Sequence, residues 1–217
     1  MNRSYANSSR FESLTADAEL DFPEYALPPP EPMGLVQRWM AEAVESGTRE
    51  PRSLALATTT PQGRPSNRIV TFTELSDRGL VFTSHRTSRK GRELADTGWA
   101  SGLFYWRETG RQMALSGPVS ELGAAESDAL WAARPVPLHS MSTASRQSEP
   151  LPDVSALRAE ARRLADVGDA LPRPDRFVGY LLAPAEVEFW SAAPDRLHRR
   201  LRYRHDVGEW RVERLQP

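Results

Sequence analysis

Apolar residues sit at helical spacing in a few stretches of this chain and alternate with polar residues in many more. After Pro32, the run 33–47 puts Leu35, Trp39 and Met40, then Ala43, on one helical face, and Gly47 supplies a stop; this predicts one amphipathic helix. In 53–60, Leu54 and Leu56 alternate with alanines, 61–63 (PQG) is a turn signal, and 64–75 reads as the returning strand of a hairpin. A short strand is expected over 79–84, then a helix over 88–96 with Ser88 as its N-cap. A second hairpin of long strands is expected over 99–108 and 111–122, turning at 108–110. The helix opening at 123 is stopped by Pro135, and a third amphipathic helix covers 154–168. Residues 135–150, rich in Ser and Pro, read as a functional loop rather than core. Strands resume over 178–184, 186–190, 197–205 and 209–217. Residues 1–21 read as a flexible polar segment and 22–217 as a single domain, entered through a Pro-rich extended lead-in over 22–32. Many strands with a few helices between them predict class α+β, an antiparallel barrel with helices packed outside it.

Composition narrows the chemistry. Lys and Arg number 28 against 29 Asp and Glu, a net charge of −1, so the basic excess of a nucleic-acid binder is missing. Cysteine is absent, which excludes disulfides, Cys-ligated zinc, iron–sulfur clusters and a thiol nucleophile, and fits a reducing cytoplasm. No apolar stretch approaches a membrane span, and the N-terminal residues carry no apolar signal core; a cytoplasmic location is expected. The four histidines (His85, His139, His198 and His205) do not fall at metal-ligand spacing. The motifs of P-loops, Rossmann folds, zinc proteases and hydrolase nucleophile elbows are missing.

What remains is a pattern suited to an anion. Arg68 lies mid-strand among residues fit for burial, where an unpaired charge is costly; a structural carboxylate is the alternative partner. Ser88, Arg89 and Lys90 sit where a loop becomes a helix, and a helix N-terminus offers free N–H groups to phosphate; a solvated helix start is the bland reading. If 197–205 is a strand reaching back through Arg196, then Arg196, His198 and Arg200 share one face and Leu197, Arg199 and Leu201 the other. Three donors on one face suit an anion, as a polar face in water also would. Gln147 and Ser148, in the loop 142–148, carry groups able to read a heterocycle edge, although such loops are often only loops.

Taken in order, NRIV (67–70), SRK (88–90), RQ (111–112), SRQS (145–148), EFW (188–190), RLHRR (196–200) and the terminal RLQP (214–217) resemble the pyridoxine/pyridoxamine phosphate oxidases from about residue 35 onward. That family implies an FMN-binding split β-barrel and a homodimer with FMN at the subunit interface. By matching positions, the resemblance implies that Arg68, Ile69, Val70, Thr83, Ser84, Arg89 and Lys90 hold FMN, chiefly its phosphate and ribityl chain. Gln112, Gln147, Ser148, Trp190 and Arg200 would complete the flavin site, some from the partner subunit. The family's Lys, Tyr, Arg and Ser for the substrate phosphate fall on Thr73, Leu130, Arg134 and Leu138, so only the arginine survives. With charged hydrogen bonds worth about 1.5–3 kcal/mol each, phosphate binding weakens by roughly a thousandfold or more, and pyridoxine phosphate is disfavoured.

A second likeness runs nearly end to end. SRFESLT (9–15), FPEY (22–25), the segments 49–58, 88–94 and 99–109, MSTASRQS (141–148) and RLHRRLRY (196–203) are similar to the phenazine-biosynthesis flavin oxidases, which also lack the lysine at the position of Thr73. This implies a small-molecule substrate, a reduced phenazine carboxylate oxidised toward the aromatic product with O2 as acceptor and H2O2 as by-product. Arg196 and His198 are the expected catalytic and substrate-side residues, with Arg134 a second anion contact and Leu130 and Leu138 apolar surface for a planar tricycle. The rivals are a vitamin B6 phosphate oxidase, a non-catalytic flavin- or heme-binding split-barrel module, and a purely structural dimer.

Overall fold

Nine strands and five α-helices form among the described residues, 21–193 and 195–217, of the computed structural model. The segment expected to be flexible, 1–21, lies outside the described residues save for Asp21. In chain order the elements are α1 (Met33–Glu45), β1 (Ser53–Thr59), β2 (Pro65–Ser76), β3 (Gly79–His85), α2 (Arg89–Thr97), β4 (Trp99–Trp106), β5 (Arg111–Glu121), α3 (Ala124–Ala133), α4 (His139–Ala144), α5 (Val154–Ala165), β6 (Phe177–Leu182), β7 (Glu186–Ser191), β8 (Arg199–Asp206) and β9 (Glu209–Leu215). Hydrogen-bonded strand order is β4-β1-β2-β3-β6-β5-β7-β8-β9, and β4 also pairs with β5. That extra pairing closes six strands into an antiparallel barrel, which leaves β7, β8 and β9 as an extension. With its peripheral helices the fold is an α+β split barrel. No helix among the described residues is long and apolar enough to cross a membrane.

The chain divides into two compact units. The first takes the chain through Leu54, Gly102–Leu115 and Ala185–Pro217; the second takes Ala55–Ser101 and Ser116–Pro184. The first unit is built on α1, which buries Leu35, Val36, Trp39 and Met40. Trp39 meets Phe189 edge-on at 5.1 Å between ring centroids, and Phe22 at 4.9 Å. The fully buried Arg111 lies over the Trp39 ring and pairs with Glu42 at the edge of the core, so its charge is matched. In the second unit β6 is buried along its whole length between β3 and β5. This accounts for an unbroken apolar run, FVGYLL, where alternation was absent. Val81, Leu130 and Leu181 form a core cluster there, joined by Leu122.

Three expectations need correction. Residues 22–32 are not simply extended: Pro23–Tyr25 make one 3-10 turn, and the buried Phe22 anchors the segment on Trp39. The Ser/Pro-rich stretch after Pro135 is not all loop, because α4 forms within it and buries His139. The His139 ring stacks on Trp131 at 4.1 Å and accepts from the Leu171 N–H at Nδ1. The strand expected over 197–205 starts at Arg199, so Arg196 and His198 are not strand residues and share no pleat with Arg200. Instead the Arg196 N–H donates to the Ala193 carbonyl, the Ala193 N–H donates to His198 Nδ1, and Arg196 takes a left-handed φ of 67°.

Candidate functional site

The second unit gathers one group of site residues around the start of α2. Ser88 caps the helix, its Oγ accepting the Gly91 N–H at 3.2 Å. Gly91 has no tolerance for a side chain: a Cβ there would stand 2.3 Å from the Arg86 carbonyl oxygen. The first turn of α2 thus lies flush against the loop that leaves β3. From β2, half-buried Arg68 reaches the same place. Its Nη1 donates to Thr58 Oγ1 at 2.5 Å and to the Leu56 carbonyl at 3.3 Å; its Nη2 donates to Ser66 Oγ at 2.6 Å. Burial lowers the pKa of Arg68, with the Glu93 carboxylate opposing that shift.

Glu93, one turn into α2, is the hub. Its Oε2 accepts from Ser66 Oγ at 2.6 Å and from Thr58 Oγ1 at 2.5 Å, and stands 3.5 Å from Arg68 Nη2. Its Oε1 accepts from Arg89 Nε at 2.8 Å. Burial alone would raise this carboxyl, but the hydrogen bonds from Ser66, Thr58 and Arg89 outweigh it and hold the group at about 2. The alternative partner weighed for Arg68, a structural carboxylate, is therefore present. Even so, Arg68 and Arg89 share this one carboxylate, and with Lys90 at the same helix start the three cations outnumber it.

Lys90 is half-buried. Its Nζ donates to Ser88 Oγ at 3.3 Å and to Gln147 Oε1 at 3.2 Å, and burial together with the Arg68 charge pulls its pKa down to about 8. The loop after α4 closes over the helix start. Ser84 Oγ donates to Gln147 Oε1 at 3.1 Å, and the Arg89 N–H donates to Ser148 Oγ at 3.1 Å. Ser148 holds a φ of 71°, a left-handed conformation uncommon outside glycine and often found at ligand sites. Beside Arg68, Ile69 is 65% exposed and Val70 is buried. Thr83 lies next to Ser84 on β3, opposite Gly179.

The residues expected on the substrate side separate by environment. Leu130 is a correction: its side chain packs in the Val81–Leu181 cluster and presents no free apolar surface. Leu138 is half-exposed, and Thr73 donates its hydroxyl to the Val81 carbonyl at 3.2 Å. Arg134, the C-cap of α3, lies over the Phe177 ring, and burial lowers its pKa.

The first unit holds the other group. Trp190 and Arg200 are register partners on β7 and β8. Arg200 Nε donates to Glu188 Oε1 at 2.7 Å, which raises the arginine's pKa, and its Nη1 donates to the Gln216 carbonyl at 3.0 Å. The Trp190 and His198 rings lie 4.6 Å apart. Burial first, then the Arg196 charge, lower the pKa of His198. Gln112 lies on β5 between buried Arg111 and Met113.

Thr58, Ser66, Gly91 and Glu93 were missed from sequence. The i, i+4 spacing of Arg89 and Glu93 was a usable signal. The two hydroxyls on strands carried none.

Residues 40–168 match the family model described as pyridoxamine 5'-phosphate oxidase, which spans more than half of the chain. The chain belongs to the pyridoxamine 5'-phosphate oxidase family. Residues 177–217 match the pyridoxine 5'-phosphate oxidase C-terminal dimerisation region. Within the family the chain is 56% identical to the dihydrophenazinedicarboxylate synthase of Burkholderia lata, over 97% of this chain and 100% of that one. It is 43% identical to a pyridoxine/pyridoxamine 5'-phosphate oxidase of Paraburkholderia phymatum, over 87% of this chain and 90% of that one. Among solved structures it matches PhzG of B. lata, crystallised with tetrahydrophenazine-1-carboxylic acid, with a TM-score of 0.91 and 55% identity over 93% of this chain and 100% of that one.

Proposed function

We propose that this protein is an FMN-dependent oxidase of reduced phenazine carboxylic acids in phenazine biosynthesis, working in the cytoplasm as a homodimer with FMN at the subunit interface. The carrying observation is the donor set at the start of α2. Arg68, Arg89 and Lys90 with the hydroxyls of Ser84 and Ser88 form a cationic cluster at a helix N-terminus, and that set fits a phosphate monoester. The family match, the synthase relative and the dimerisation region support the rest.

Bound FMN supplies the redox chemistry: two electrons and two protons leave the substrate and reduce O2 to H2O2. The protein's own groups bind and orient. Arg68, Arg89 and Lys90 hold the phosphate. Gln147 and Ser148, and by family likeness Ile69, Val70, Thr83, Gln112, Trp190 and Arg200, belong to the flavin. His198 accepts a backbone N–H at Nδ1, so its neutral ring carries the proton on Nε2 and presents a donor there. Its lowered pKa keeps that form in place at neutral pH. Arg196, set in its left-handed turn, is assigned the substrate carboxylate.

Purified protein is expected to be yellow, to release FMN on denaturation, and to produce H2O2 with tetrahydrophenazine-1-carboxylic acid but not with pyridoxamine 5'-phosphate. Arg196→Ala should keep its flavin and lose turnover by about tenfold or more, the scale of one charged hydrogen bond. Turnover with the B6 substrate alone would reverse the assignment, and a colourless protein would remove it.

A further inference from the structure

The acidic member of the α2 cluster has no evident place in an anion site. A carboxylate among donors meant for a phosphate opposes binding unless it does something else. Glu93 lies at the end of an ordered chain of contacts. It is 5% exposed, and two hydroxyls from β1 and β2 fix its Oε2 at 2.5 and 2.6 Å. Those same hydroxyls accept from the two Nη groups of Arg68 at 2.5 and 2.6 Å. Thr58 and Ser66 each use their one proton on Glu93 and their lone pairs on Arg68, so the carboxylate sets the direction in which both hydroxyls point. On the other side Oε1 takes Arg89 by its Nε at 2.8 Å, which leaves the paired Nη donors of a side chain 55% exposed for a ligand. One buried carboxylate thereby orients two arginines from two different elements.

We infer that Glu93 is a positioning residue for phosphate recognition: it holds the Arg68 and Arg89 guanidinium groups in place through Thr58 and Ser66 and directly, and so makes the site selective for the phosphorylated flavin over the unphosphorylated one. This rests on the FMN reading above. The charge balance is consistent with it. With Glu93 ionised at any working pH (its carboxyl is held at about 2), the cluster keeps a net positive charge for a phosphate while each arginine has a fixed seat.

The test is a pair of titrations by flavin fluorescence on the full chain stripped of flavin, with FMN and with riboflavin, which differ only in the phosphate. The parent protein should prefer FMN strongly. Glu93→Gln, near in shape but unable to accept from three donors at once, should weaken FMN by roughly tenfold, the scale of one charge-assisted hydrogen bond, and leave riboflavin affinity within about twofold. Ser66→Ala, a milder lesion that keeps the carboxylate, should weaken FMN by about threefold, again with riboflavin unchanged. Equal loss of both ligands in both variants would mean that Glu93 only supports the fold, and full retention of FMN would mean that the arginines need no such seat; either result overturns the inference and leaves the cofactor assignment standing. A parent protein that does not distinguish FMN from riboflavin overturns the cofactor reading itself, and the role of Glu93 with it.

Discussion

Two regions of this molecule are rich in arginine, and they treat the charge differently. On β8 and β9 four arginines meet acids: Arg200 with Glu188, Arg202 and Arg204 with Glu213, and Arg211 with Asp206. At the start of α2, Arg68 and Arg89 share one carboxylate, Glu93, Lys90 bonds to neutral groups, and burial lowers the pKa of both Arg68 and Lys90. A protein keeps cations partly out of water and incompletely neutralised when a ligand completes them. Arginine is denser in the sequence of β8 and β9 than around the start of α2. Pairing and burial, rather than density, separate an anion site from a salt-bridged strand pair.

The largest expected effect concerns acid. His85 is fully buried at the end of β3, next to Ser84, and burial and then the charges of Arg176 and Lys90 depress its pKa from 6.5 to about 4. An unfolded chain takes up the proton near 6.5, while the folded chain takes it up only near 4. Stability is therefore intact above the upper value and is lost as pH falls through that window, by about 3 kcal/mol. Glu93, depressed from 4.5 to about 2, adds a loss of similar sign at lower pH. Urea denaturation at pH 7 and at pH 4.5 should show the first loss, and His85→Asn should flatten it. If His198→Asn in the arginine-paired region flattens the curve equally, the contrast between the regions is wrong.

Next in size is the cofactor. Arg68→Met removes a guanidinium already committed to Thr58, Ser66 and Glu93 and assigned to the phosphate. FMN affinity should fall by about thirtyfold or more, near 2 kcal/mol for a charged hydrogen bond. Fluorescence titration checks it, and a loss under threefold would show that the buried cation serves only its own fold.

The barrel was legible from alternation and turn chemistry alone: the hairpins about 61–63 and 108–110, the α2 cap at Ser88 and the stop before Pro135 all lie where periodicity and residue type put them. The misreadings share a cause. Arg196, Leu197 and His198 carry strand-like alternation, but a backbone hydrogen bond from Ala193 to the His198 ring competes with the ladder, and side-chain-to-backbone bonds leave no period in a sequence. Leu130 was read as site surface because it stands where relatives carry a polar group; only packing against Val81 and Leu181 shows it is core. The part Glu93 plays depends on hydroxyls that β1 and β2 bring to it, which no spacing within α2 reveals. The anion cluster itself was visible as a pattern, and the family likeness, not the pattern, supplied the flavin.

The smallest expected effect is the sharpest control. Arg202 makes two bonds to one acid, donating from Nε at 3.1 Å and Nη2 at 2.7 Å to Oε1 of Glu213, its register partner on β9. Glu213 is 44% exposed, so water and salt screen the pair, and Arg204 stands ready at 3.3 Å to hold the same carboxylate. Arg202→Met should therefore cost about 0.5 kcal/mol or less in denaturant titrations, less again in 1 M salt, and leave FMN affinity within about twofold. Arg68 has a poorer geometric bond to its carboxylate, 3.5 Å against 2.7 Å for Arg202, yet its loss should matter far more. If removal of Arg202 instead weakens FMN as much as removal of Arg68, burial and incomplete pairing do not mark the arginines that hold the phosphate.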